Sequence, residues 1–181
     1  MTSTSTISRR KAAAKRATIQ HERATDQINV YAIRAPQGGS ESESFTVYFG
    51  RSLGLKAKSR DVLINKIKKG LDVSRLRHLS KEINIQEKEL AKFAMIPPRT
   101  LARRKAIGRL SPDESDRIAR ISMLFDEAVN LFGGDRAKAS SWFLSSKKAL
   151  GGASPIEFSE TEPGTQEVRD LIGRIEHGVF S

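Results

Sequence analysis

The chain has 181 residues, a formal net charge of +11 and no cysteine. Lack of cysteine excludes a disulfide framework and a thiolate zinc site, and His21, His78 and His177 are too far apart to make a metal-ligand spacing. No run approaches the ~18 apolar residues of a membrane span, and the N-terminus lacks the apolar core of a secretory signal, so a cytoplasmic protein with no membrane partner is expected.

The charge is unevenly spread. Residues 1–44 carry 7 basic and 4 acidic side chains, residues 45–110 carry 17 and 5, and residues 111–181 carry 8 and 12. A cationic midsection beside an acidic C-terminal part predicts two surfaces for two partners, the first suited to phosphates.

Residues 1–58 read as a largely disordered extension. The first six residues are mostly Thr and Ser, and Gln37 to Ser44 is a Gly/Ser/Glu stretch. Between them, Arg9, Arg10, Lys11, Lys15 and Arg16 suit either a solvated tail or a short helix adding non-specific DNA affinity. Phe45 to Phe49 has strand-like composition but is short, and ordered helical structure is expected from about Ser59.

Ser59 caps a first helix with Leu63, Ile64 and Ile67, ended by Gly70. Ser74 to Glu82 gives a second helix, with Leu76 and Leu79 inward, and Ile85 to Phe93 a third, with Leu90, Ala91 and Phe93 as its stripe. Met95-Ile96-Pro97-Pro98 is a turn whose proline sits where a new helix starts, and that helix runs from Arg99 to Ile107. Ser111-Pro112-Asp113-Glu114 opens a long helix, where Ser111 caps and the two acids face the positive end of the dipole. Ile118, Ile121, Phe125, Val129 and Phe132 make its buried stripe. Asp135 caps a helix to Ser145 anchored by Ala139, Trp142 and Phe143; Pro155 to Phe158 suits one turn. A last helix follows Glu162-Pro163-Gly164-Thr165 to about His177, with Val168, Leu171, Ile172 and Ile175 on its apolar face.

Glu87 to Lys105 (EKELAKFAMIPPRTLARRK) has the pattern of a helix-turn-helix. Ala91 is small where two helices approach, Ile96 plugs the turn and Leu101 faces the core. The second helix offers Arg99, Thr100, Arg103, Arg104 and Lys105 to a major groove. Glu82, Glu87 and Glu89 fall on the support side, away from the expected groove. No catalytic set stands out: Gly133-Gly134 and Gly151-Gly152 lack the flanks of a phosphate loop, and Glu176–His177 has no third group.

The C-terminal part runs from Trp142 through Ala149-Leu150-Gly151-Gly152, Ser154-Pro155-Ile156 and Thr161-Glu162 to the ending GRIEHGVFS (Gly173–Ser181). It resembles the toxin-binding domain of the Xre/MbcA/ParS antitoxin family, and the similarity reaches back through SPDESDRIAR and IPPRTLARRK to about residue 60. It departs from many members near Lys147 and Lys148 and at Phe158.

The resemblance implies an all-α chain: a Cro/Xre-like helix-turn-helix domain over 59–110, then a small helical toxin-binding module over 111–181. It implies an antitoxin that is not an enzyme, needs no cofactor, and pairs with a RES-domain, NAD-consuming toxin whose active site its C-terminal region blocks. It further implies repression of the shared operon through operator DNA, usually as a homodimer within a larger complex. Carried over position by position, Pro155, Thr161, Gly164, Val168, Leu171, Arg174, Ile175, Glu176, His177, Gly178 and Ser181 belong to the toxin-facing module. Charged groups at this ending suit a cleft built for an anionic dinucleotide, although Arg174 with Asp170 is also an ordinary helix-surface pair, and His177–Gly178 an ordinary helix end. The alternative is a plain helix-turn-helix transcriptional regulator whose C-terminal half only dimerises.

Overall fold

The computed structural model describes residues 50–55, 57 and 59–178. The N-terminal tail, Phe45 to Phe49 and Ser181 lie outside the described residues. Among those described there are eight α-helices and no strand: α1 (Arg60–Lys68), α2 (Val73–Ile83), α3 (Glu87–Phe93), α4 (Pro98–Ile107), α5 (Pro112–Leu131), α6 (Arg136–Leu144), α7 (Pro155–Phe158) and α8 (Glu162–Glu176). No helix among them is long and apolar enough to cross a membrane.

Short polar side chains start the helices by accepting first-turn amides that have no partner inside the helix. Ser59 accepts from Val62, Asp72 from Ser74, Asp135 from Lys138 and Thr161 from Gly164. Ser111 with Glu114, and Ser154 with Glu157, form reciprocal capping boxes. Prolines occupy the first turns of α4, α5, α7 and α8, where a missing N–H costs no hydrogen bond.

The expected core residues meet in one contiguous cluster. Leu76, Leu79, Leu90, Ala91, Ile118, Ile121, Phe125, Ala139, Phe143 and Val168 are buried; Phe93, Phe132, Trp142 and Ile175 are half-buried against them. Phe125 and Phe143 stack at 5.6 Å in a tilted pair, a geometry worth about 0.5–1.5 kcal/mol beyond burial. Helix α5 is the hub: it packs on α1, α2, α6 and α8.

Some details differ from the sequence expectation: α8 starts at Glu162 rather than past Thr165, and α3 at Glu87 rather than Ile85. Ile64 is exposed, so α1 buries only Leu63 fully, with Ile67 in part. Ordered packing also begins before Ser59. Arg51–Leu53 forms a 3-10 turn against α2 and α5, and Leu53, Leu55 and Ala57 are buried. The Ser52 amide donates to Asp126 Oδ1 at 3.2 Å and Arg75 Nη1 to the Gly54 carbonyl at 3.0 Å. These residues are held by long-range contacts and have no periodicity of their own to read.

Candidate functional site

The helix-turn-helix assembles as its spacing requires. In the segment joining α3 to α4, the Ile96 amide donates to the Ala91 carbonyl at 2.8 Å. Ala91, Ile96 and Leu101 are buried, which lets α3 and α4 approach and fills the space between them. Met95 turns the chain with φ of 52°, a left-handed conformation that a side chain rarely adopts. From α5, Arg117 Nε donates to the Ala94 carbonyl at 2.6 Å, tying the turn to the hub helix.

The five polar residues expected on α4 divide by their place on the wheel. At about 100° per residue, Arg99 and Arg103 lie roughly 160° from buried Leu101, whereas Arg104 and Lys105 lie within about 60° of it on either flank. Arg99 and Arg103 are exposed, and neither has an ion-pair partner among the described residues. Thr100 is half-buried. Arg104 Nε instead reaches both oxygens of Glu114, at 2.8 and 3.1 Å. Lys105 Nζ lies 2.6 Å from Glu87 Oε2, and Arg77 Nε 2.9 Å from Oε1 of the same carboxylate.

The sequence marks Glu114 as an acid at the positive end of the α5 dipole and Glu87 as a residue of the support side, away from the groove. It does not show that these two carboxylates pair with cations on the inner flanks of α4. The signal was available: cations beside a buried leucine look sideways along the neighbouring helices. The Lys105 hydrogen bond, with Arg77 against the opposing effect of burial, holds the Glu87 carboxyl below its ordinary value. Burial would raise Glu114, but hydrogen bonds from Arg104 and the Ser111 amide, and the guanidinium charge, outweigh it and hold it low.

Beside α4 lies a groove of about 500 Å³ lined by Ala91, Met95, Ile96, Pro97, Pro98 and Leu101, with Lys88 and Lys92 on its walls. It carries no carboxylate, hydroxyl or imidazole, so it offers no acid–base pair.

The described residues of the C-terminal set divide into a framework and an exposed last turn of α8. Thr161 Oγ1 accepts the Gly164 amide at 3.1 Å. Pro155, Gly164, Val168 and Leu171 are buried. On α5, Glu127 takes a hydrogen bond from Arg169 Nε of α8 at 3.2 Å. Burial pushes the carboxyls of Glu127 and its neighbour Asp126 up, against the Arg169 charge in one case and the Ser52 hydroxyl in the other. Past this anchored part, Ile175 is half-buried, while Arg174, Glu176, His177 and Gly178 are exposed. The Arg174–Asp170 pair does not form; Asp170 accepts from Gln166 Nε2 at 2.9 Å.

Fold and site thus define a two-part protein: a helix-turn-helix whose second helix exposes two arginines, fused to a helical module whose last described turn is charged and exposed. Comparison with known proteins places it within that class. Residues 62–123 match the family described as "Antitoxin Xre-like helix-turn-helix domain", and residues 127–178 the "Antitoxin Xre/MbcA/ParS C-terminal toxin-binding domain". An Antitoxin Xre of Yersinia enterocolitica is 46% identical over 132 residues, 72% of this chain and 89% of the relative. One from Photorhabdus laumondii is 35% identical over the same shares. A Sphingobium protein named "Prs ADP-ribosylating antitoxin" is 26% identical over 65% of this chain and 80% of its own length. The chain belongs to the Xre antitoxin family. Its domains imply a toxin partner and a DNA partner. The two matches meet inside α5, between residues 123 and 127, whereas a boundary at 110 falls ahead of that helix.

Proposed function

We propose that the chain neutralises a RES-domain, NAD-consuming toxin by covering the mouth of its active site with the last turn of α8. We propose further that it represses its own operon as a cytoplasmic homodimer, with residues 59–110 carrying α4 to the operator and 111–181 carrying the toxin contacts. The observation behind the first part is the exposed last turn of α8. Arg174, Glu176 and His177 project from a helix whose other face is locked in the core. A fixed helix presenting charged side chains at its tip, with Glu176 as an anion that can stand where a phosphate would, suits a cavity that binds an anionic dinucleotide, because little entropy remains to be lost on docking. The name of the Sphingobium relative joins an antitoxin to ADP-ribosylation, a chemistry that uses NAD.

The test is NAD consumption by the purified product of the neighbouring gene, with and without this chain. The intact chain is expected to stop it. Arg174→Ala with His177→Ala is expected to weaken inhibition by about tenfold or more, as for central interface residues, with DNA affinity unchanged. Full inhibition by the double variant would show that another surface blocks the enzyme. No inhibition by the intact chain would favour the plain regulator with a dimerising C-terminal half.

A further inference from the structure

We infer that α4 reads a duplex through Arg99 and Arg103 alone, and that Arg104 and Lys105 never touch the nucleic acid but act as positioning residues, through Glu114 and Glu87. The inference rests on α4 being the DNA-reading helix and narrows its contact set.

The charge count of α4 misleads, because half of its cations are already spent. Arg104 is one-fifth exposed and its Nε sits between both oxygens of buried Glu114. That carboxylate is itself fixed by accepting the Ser111 amide at 2.8 Å in the cap of α5. Lys105 ends on Glu87, which Arg77 of α2 holds from the other side. A phosphate would have to displace a carboxylate that is already hydrogen-bonded, so these cations release few counterions on binding. The two pairs clamp α4 from opposite flanks, one to α5 and one to α2 and α3, and so set the direction in which its outer face points.

That outer face carries Arg99 and Arg103, one turn apart and unpaired among the described residues. Four residues advance about 6 Å along a helix, close to two base-pair steps of ~3.4 Å. A guanidinium pairs bidentately with the O6 and N7 atoms of guanine. The duplex ligand is therefore one whose half-site presents two guanines about two steps apart. At the start of α4, Pro97 and Pro98 have no N–H to donate, which leaves the Arg99 and Thr100 amides as the backbone groups there that could meet a phosphate.

The experiment uses the full chain and duplex DNA from upstream of its own gene, together with selection from a randomised duplex pool. Wild type is expected to select two guanines at that spacing. Arg99→Ala and Arg103→Ala should each erase one preference, lowering affinity for the selected site about tenfold to a hundredfold.

Arg104→Gln and Lys105→Gln should keep the selected sequence and leave the salt slope unchanged, while the ratio of specific to non-specific affinity falls. Lys105→Arg, which can still reach Glu87, should restore that ratio. Lys105 is two-fifths exposed, so its variants keep the test alive if Arg104→Gln unfolds. A salt slope reduced by about 1 in Lys105→Gln or Arg104→Gln, or a changed consensus, overturns the assignment while leaving DNA binding by α4 intact. No binding by wild type to any duplex overturns that reading along with it.

Discussion

Gly164 shows how one residue separates shape from contact. Its amide is held by Thr161, and a Cβ at this position would lie 1.9 Å from the Phe158 carbonyl oxygen. Space, not backbone conformation, is what requires glycine here. The α7–α8 corner closes only because nothing stands between the two backbones. Gly164→Ala is therefore expected to cost about 1–3 kcal/mol, as overpacking does, read as a lowered thermal midpoint. Arg174→Ala and His177→Ala, on the exposed turn, should stay within about 0.5 kcal/mol of wild type. A family pattern that marks Pro155, Thr161, Gly164, Val168 and Leu171 alongside Arg174, Glu176 and His177 thus mixes two kinds of residue. The first five shape the module, and the last three are free to touch a partner. Spacing alone could not tell them apart, because a stripe on an amphipathic helix has the same period whether it faces its own core or another protein.

At the level of elements, the link from α4 to α5 makes a pH prediction with a definite sign. Glu114 titrates below its ordinary value of 4.5 in the folded chain. The unfolded chain takes up that proton first as pH falls. The stabilisation is therefore complete above the ordinary value and disappears as pH drops through the lower folded value. Glu114→Gln removes it outright. At pH 7 the variant should lose about 1–3 kcal/mol, the cost of leaving the Arg104 charge half-buried without its partner, and the gap to wild type should close in acid. Denaturant melts from pH 7 down to pH 3 would check this; a gap that is constant with pH would show that packing, not charge, carries the link.

Asp126 and Glu127 act in the opposite sense. Burial raises both, so what they contribute in protonated form is lost as pH rises through their folded values. Most helix starts were legible, because Ser59, Ser111 and Asp135 act locally and the glycines and prolines punctuate what they follow; the Thr161 cap, which starts the last helix already at Glu162, was not read. The polar links between helices were not, since each joins residues whose separation in sequence says nothing of their distance in space.

The whole molecule turns on the wide burial of α5. Its sequence shows one apolar stripe, Ile118, Ile121, Phe125 and Val129, and reads as a helix facing a single core. The structure widens that stripe: Ser115, Ala119 and Ser122 along one edge and Leu124 and Ala128 along the other are buried as well. Small residues there allow close approach to the first helices, and the Leu71 amide donates to Ser115 Oγ at 2.8 Å. Hydrophobic periodicity does not register the small polar edge of such a helix.

Further ties cross between the halves. The Ser140 hydroxyl donates to the Ile83 carbonyl at the end of α2, and Arg136 pairs with Glu82. A chain cut at residue 110 would leave Leu63, Leu76, Leu79 and Leu110 without the helix that covers them, and should show neither a cooperative melt nor sequence-selective DNA binding. The intact chain should unfold in one step. Its single tryptophan, Trp142, lies on α6, far along the sequence from α4. Fluorescence from Trp142 and backbone circular dichroism should then report the same denaturant midpoint, and Arg104→Gln, a change on α4, should move both together. Two separated midpoints would mean that the DNA-facing and partner-facing halves are stable independently, and that a toxin held at α8 has no rigid path through α5 to α4.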